Sequence, residues 1–177
     1  YYKFGITLED KNYHSRIIVP SHDKEGLLNF YTARGFYPWM KPKYFAPELP
    51  REHVIFNEIN IDWTKELTIV EGPFDLAKCG ENATCLLGSE LTKHYLLFSK
   101  LIEHETPVLL ALDNDAKKKT CTIVELLFEH DIPVRILQVP EAHNDVGELS
   151  KQQVKQLAKE AQTVTTTSLF EMKLEMA

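Results

Sequence analysis

Six carboxylates follow three apolar runs of strand length. Glu71 and Asp75 come after Leu67-Thr68-Ile69-Val70, Asp113 and Asp115 after Val108 to Leu112, and Asp145 and Glu148 after Val134 to Val139 and a Pro-containing turn. If these runs are parallel strands of one sheet, their carboxyl ends share the edge at which open sheets leave a ligand crevice. Hard oxygen donors gathered there suit Mg²⁺, which keeps several waters and accepts one or two carboxylates plus phosphate oxygens. Without a cation the gathering is costly, because neighbouring carboxylates repel and one is forced to hold its proton. Each acid also has a plainer reading. Glu71 can be a strand-end residue facing water, and Asp75 and Asp115 can satisfy free N–H groups at helix starts. Their common placement at one edge favours the site. Lys117-Lys118-Lys119 opens the helix after Asp115, where each cation opposes the helix dipole by roughly a few tenths of a kcal/mol. Nearby carboxylates, a bound phosphate chain or plain solvation would each offset that.

The elements that must position these groups divide near Trp63 to Glu66. Before that point Arg16 to Pro20 and Leu27 to Arg34 flank the polar turn 21–26 and read as a hairpin. The Pro-rich aromatic stretch from Tyr37 to Tyr44, with Pro47 and Pro50, reads as an ordered loop. Beyond it, apolar strands (Leu67–Val70, Ala83–Leu87, Val108–Leu112, Val134–Val139) alternate with helical patterns over Phe74–Cys79, Leu91–His104, Ala116–Glu129 and Val146–Ala161. Near-continuous apolar strands separated by helices predict a parallel sheet covered on both faces, an α/β fold. The expected organisation is a β-rich part over 1–65 and the α/β unit over 66–162, with the tail 163–177 open between strand and helix.

Composition sets the outer bounds. With 177 residues, 44 % of them apolar and 10 % aromatic, the chain can build one domain plus a partial second, which excludes disorder and fibre. No run of about 18 apolar residues exists to span a bilayer. Cys79, Cys85 and Cys121 form no CxxC pair, so a reducing cytoplasm is expected and a thiol-built metal site is not. The chain begins at Tyr1 without start logic for a helix or strand, so further residues are expected to precede it. Its net charge of −6 is uneven. Residues 1–65 carry nine Lys/Arg against eight Asp/Glu, leaving eleven against eighteen for the rest. Such asymmetry fits an anionic partner for the first part, and equally a solvated surface.

Val70-Glu71-Gly72-Pro73-Phe74-Asp75, Leu87-Gly88-Ser89, Leu112-Asp113-Asn114-Asp115 and Asn144-Asp145-Val146-Gly147-Glu148 resemble, in order and spacing, the TOPRIM domain of bacterial-type primases, topoisomerases and some nucleases. Upstream, Arg16-Ile17-Ile18-Val19-Pro20, Ala33-Arg34, Pro42-Lys43-Tyr44 and Ile55-Phe56-Asn57 resemble the lead-in to TOPRIM in DnaG-type primases, especially those of bacteriophages. The resemblance implies a Rossmann-like TOPRIM unit in the RNA-polymerase domain of an enzyme that makes short RNA primers on single-stranded DNA from NTPs. A replicative helicase would be its partner, in the bacterial cytoplasm, with no membrane involved. It implies Mg²⁺ or Mn²⁺ held by Glu71, Asp75, Asp113, Asp115 and Asp145, with Glu71, Asp113 and Asp115 catalytic; Glu71, in the middle of the edge beside a glycine that leaves room for substrate, is the candidate for proton transfer. Arg16, Arg34 and Lys43 are implied to bind nucleotide and template, and Arg51 stands where the family often has Lys. Two departures stand out. Ala116-Lys117-Lys118 replaces a basic residue and Ala-Gly, and Gly147 stands where a second Asp is expected.

Two rivals carry different chemistry. A DxD phosphatase would use Asp113 as nucleophile, but wants the motif on the first strand and Thr or Val where Lys117 stands. A non-catalytic nucleic-acid or helicase-binding module would keep the fold and lose the reaction. Tyr31, Tyr37, Trp39 and Tyr44 lie among the basic residues, where rings either stack unpaired bases or pack the β-rich part.

Overall fold

The computed structural model describes residues 4–7, 10, 12–88 and 90–175; Ser89 of the Leu87-Gly88-Ser89 motif lies outside the described residues. Two sheets share the work. The first is antiparallel, in the order β1 (Gly5–Thr7), β2 (Arg16–His22), β3 (Leu28–Gly35) and β4 (Tyr44–Phe45). The β2–β3 hairpin closes through Asp23, whose Oδ1 accepts the N–H groups of Glu25 and Leu27. Gly26 supplies the φ of +83° that this turn requires.

The second sheet has the order β6 (Ala83–Cys85), β5 (Leu67–Val70), β7 (Val108–Ala111), β8 (Val134–Ile136) and β9 (Gln162–Thr163). The first four strands are parallel and β9 is antiparallel to β8, so the parallel sheet read from the sequence carries one antiparallel edge strand. Its strands are apolar on both faces because both are covered. Leu67, Ile69, Val108 and Leu110 face α1 (Leu96–Glu103), α2 (Lys117–Phe128) and α4 (Thr166–Leu174). Val70, Leu109 and Ala111 face the other way, towards Val146, Leu149 and Val154 of the segment ending in α3 (Lys151–Glu160) and towards Val19, Phe30 and Phe56 of the lead-in. The antiparallel sheet is thereby seated on the parallel one through shared core. Asn57 tightens the join: its N–H donates to Ser21 Oγ at 2.9 Å and its Nδ2 to the Ala83 carbonyl at 2.9 Å.

Three helices differ from their sequence reading. Phe74–Cys79 contains only the 3-10 turn Asp75–Ala77, because Asp75 and Gly72 bond reciprocally and close the chain tightly. The 91–104 helix starts at Leu96, since Thr92 to Tyr95 form a turn. The 146–161 helix is two pieces, the 3-10 turn Val146–Glu148 and α3, because Leu149 is drawn extended into the core and Ser150 starts a new helix with a capping box to Gln153. The described part of the tail holds both strand and helix: β9 extends the sheet, and Thr165 caps α4, whose Leu169 joins the core, while 176–177 lie outside the described residues.

Candidate nucleic-acid and metal site

The strand ends of the parallel sheet and the inner wall of the antiparallel sheet enclose one groove of about 420 Å³. Glu71, Asp75, Asp113 and Asp145 line one side; Arg34, Lys43, Tyr44 and Arg51 line the other. Parallel pairing of β5 and β7 brings the acids together. Val70 is level with Ala111, so Glu71 and Asp113 leave the sheet side by side.

Asp75 is positioned by its turn, with Oδ2 accepting the Gly72 N–H at 2.9 Å. Asp145 caps the next 3-10 turn, its Oδ1 accepting the Glu148 N–H at 3.0 Å. These two carboxylates meet over Gly147. A Cβ there would lie 2.8 Å from Asp75 Oδ1 and 3.0 Å from Asp145 Oδ1, so the place where the TOPRIM resemblance expects a second Asp is the space the other two occupy. Glu148 is turned away and holds its own loop through the Asn144 N–H and Nδ2, each at 2.9 Å.

The acidic wall of the groove crowds like charges together. Burial, reinforced by Glu71, Asp75, Asp145 and Asp115, pushes the Asp113 carboxyl up to about 7. Burial, with Asp145 and Glu71 adding to it against the Gly72 hydrogen bond and Arg34, pushes Asp75 up to about 6. Such perturbed acids in a cleft mark sites that act on a ligand. Glu71 is balanced differently: Lys119 Nζ lies 2.6 Å from its Oε1.

Asp115 is exposed and lies off the groove, though close enough to act on Asp113. Arg16 is not at the groove. It is 2 % exposed, its guanidinium donating to the carbonyls of Asn12, Ala33 and Lys43 and lying 4.2 Å over the Phe45 ring. A phosphate-binding role does not fit a guanidinium spent in this way; it joins β2, β3 and the chain before β4. Arg34 stands over Phe74 at 5.1 Å and Tyr44 at 5.7 Å, facing the acids. Arg51 Nη1 donates to the Leu87 carbonyl at 2.8 Å, clasping the far end of the groove.

Two members escaped the sequence reading. Lys119 is one of three lysines for which the sequence leaves carboxylates, a phosphate chain and solvation open, and its contact with Glu71 selects the first. Phe74, within the Val70–Asp75 motif, carries no charge to mark it, and it forms the floor beneath Arg34 and Tyr44.

Among the described residues no three His, Cys, Asp or Glu side chains are close enough to hold a metal ion by themselves. The donor set nevertheless fits a hard cation that takes two carboxylates and completes its shell with water and phosphate oxygens. Asp75 and Asp145 already converge, and the protons held high on Asp75 and Asp113 are what a divalent cation would replace.

No protein-family model and no curated protein matches the chain. Solved structures do match. The chain is similar to the Escherichia coli primase catalytic core (TM-score 0.72, 16 % identity, 98 % of this chain and 62 % of that one). It is also similar to a DNA primase domain from Pseudomonas aeruginosa (0.71, 20 %, 98 % and 60 %) and to a DnaG primase catalytic domain bound to single-stranded DNA (0.69, 17 %, 90 % and 56 %). The chain therefore has the fold of the primase catalytic core, and spans less than two thirds of the length of the structures it matches.

Proposed function

We propose that this chain is the central part of a DNA primase and extends a short RNA on a single-stranded DNA template by metal-dependent nucleotidyl transfer. One observation carries the reading: carboxylates from three strand ends share a groove with cations from a separate sheet, so opposite walls suit a cation and a polyanion. The primase-core likeness, which includes a structure with single-stranded DNA, supports it.

Phosphoryl transfer leaves a protein little covalent work beyond positioning and charge neutralisation. Glu71, Asp75, Asp113 and Asp145 would hold Mg²⁺ or Mn²⁺, with Asp115 reinforcing the field from outside. When bound, such ions lower the pKa of the attacking hydroxyl and neutralise charge on the leaving pyrophosphate. Arg34 and Lys43 grip the phosphates of the incoming NTP or the template, Arg as a planar fork and Lys as a point charge. Arg51 holds the Leu87 turn that bounds the groove. Glu71 accepts the proton of the primer's 3′-hydroxyl. The TOPRIM assignment over 66–162, a helicase partner, a bacterial cytoplasmic setting and a phage origin belong to the same reading. No helix among the described residues is long and apolar enough to cross a membrane.

The test is template-directed incorporation of labelled NTP with Mg²⁺ or Mn²⁺, using the parent protein that contains this chain. Asp113→Asn is expected to lower incorporation by more than about 100-fold, the scale of losing a preorganised electrostatic group, with its circular dichroism unchanged. Full activity of the folded variant sinks the assignment. A phosphorylated Asp113 in place of polymerised product would favour the phosphatase reading instead.

A further inference from the structure

The β3–β4 hairpin carries three rings that neither the core nor the groove uses. Residues 26–47 contain no Asp or Glu, three cations (Arg34, Lys41, Lys43) and seven Phe, Tyr or Trp rings, in a chain of net charge −6. At the hairpin tip Trp39 is 73 % exposed, Phe36 61 % and Tyr37 42 %. The rings are ordered among themselves. Tyr37 and Trp39 are stacked, with centroids 4.6 Å apart and planes at 12°, and Phe36 meets Tyr37 edge-on at 5.1 Å and 90°. One face of Trp39 is thus covered by Tyr37, and an exposure of 73 % leaves the opposite face to water. The loop is pinned by Gly35 N–H to Lys43 O and Phe36 N–H to Ser15 O, both 2.9 Å, and by Met40 N–H to Tyr37 O at 3.1 Å. Its base, Arg34 and Tyr44, is one register pair of the antiparallel sheet and lines the groove.

Open π-faces beside lysines, on a segment that itself carries no Asp or Glu, suit a partner that is both flat-faced and anionic. We propose that Phe36, Tyr37 and Trp39 form a stacking platform for unpaired bases of a single-stranded polynucleotide, with Lys41 and Lys43 on its phosphates. Every base has a π-face, so the contact is sequence-tolerant. A duplex has already stacked its bases and offers none. Rings already stacked on one another lose little freedom on binding. That this strand is the template leading into the groove rests on the polymerase reading above; the binding itself does not.

The test uses Trp39 as its own reporter. Trp63→Phe leaves Trp39 the sole tryptophan of the chain. An oligothymidylate of about 12 nucleotides, within the span of common single-strand sites, is expected to quench its fluorescence saturably. A duplex of the same length should not quench it and should bind at least about tenfold more weakly, having no face to stack. By anisotropy of labelled oligothymidylate, Trp39→Ala weakens binding about 5- to 100-fold, the range of one lost base stack, while Trp39→Phe retains most of it. Absence of quenching, equal quenching by duplex, or unchanged affinity of Trp39→Ala overturns the platform. Quenching also decides the matter should Trp39→Ala fail to fold. The polymerase reading falls separately: a fully active Asp113→Asn removes it and leaves these binding data standing.

Discussion

Lys119 Nζ lies 2.6 Å from Glu71 Oε1, joining the first turn of α2 to the end of β5 across 48 residues, with the two side chains only 18 % and 25 % exposed. This pair divides the groove's electrostatics in two. Glu71 is paired with a protein cation, whereas Asp75 and Asp113 have none so close among the described residues, and burial with neighbouring acids pushes their carboxyls up to about 6 and about 7. It also accounts for a lysine placed against the helix dipole, since the Glu71 carboxylate offsets that cost.

A divalent cation arriving at Glu71 must displace Lys119. Lys119→Met should therefore lower the stability of the metal-free protein and tighten Mn²⁺ binding about fivefold, the equivalent of ~1 kcal/mol for a partly exposed pair. Calorimetric titration with MnCl₂ gives the affinity. An unchanged value would place Glu71 outside the cation site.

The raised carboxyls make the metal-free protein less stable as pH rises. Asp113, pushed up to about 7, and Asp75, up to about 6, keep their protons in the folded state where the unfolded chain has released them. Between about pH 4 and 7 the native state therefore binds more protons, and unfolding free energy falls across that window. Asp113→Asn removes its share of the slope. In EDTA at about pH 8 the variant should melt about 2–4 °C above the parent, as ~1 kcal/mol does in a domain of this size, and the gap should vanish near pH 4. Scanning calorimetry at the two pH values decides; a variant melting below the parent at pH 8 contradicts the origin given for the shift.

The two arginine candidates on the paired strands β2 and β3 should separate cleanly. Arg16→Met removes the guanidinium donor from three carbonyls, of which Lys43 keeps the Gly35 N–H, and uncovers Phe45, at a cost of about 2–4 kcal/mol, or roughly 5–15 °C in Tm, with DNA affinity of the folded fraction unchanged. Arg34→Met should leave Tm within about 3 °C and reduce the slope of log K against log salt by about one. Oligonucleotide binding across a salt series together with thermal melts would show a reversal of these roles at once.

Gly147→Ala places a methyl 2.8 Å from Asp75 Oδ1 and 3.0 Å from Asp145 Oδ1, so both carboxylates must move. The expected result is weaker Mn²⁺ binding by about tenfold, from two ligands displaced against a rigid turn, with little change in secondary structure. An unaltered Mn²⁺ isotherm would argue that Asp75 and Asp145 do not share an ion.

The apolar runs Leu67–Val70 and Val108–Leu112 were legible as covered strands, and once they are parallel, Glu71 and Asp113 must leave at one edge. That inference needs only local hydropathy and the geometry of a sheet. The shortening of the 74–79 helix was not legible, because the reciprocal Asp75–Gly72 bonds outweigh a weak apolar period in so few residues. The roles of individual charges were less legible still. Arg16 and Arg34 sit at opposite ends of similar strands and read alike, yet Arg16 is enclosed by carbonyls from three segments and Arg34 faces acids from another sheet.

Which residues are strand, which are helix, and where along each strand the carboxylates fall is written in short-range pattern, because hydrophobic periodicity acts within a few residues. Whether a charge serves the core or the groove depends on what the fold brings within a few ångströms of it. Lys119 meets Glu71, Gly147 yields its space to two aspartates, and β9 turns antiparallel at the edge only after segments tens of residues apart have met, and that is why tertiary structure alone decided them.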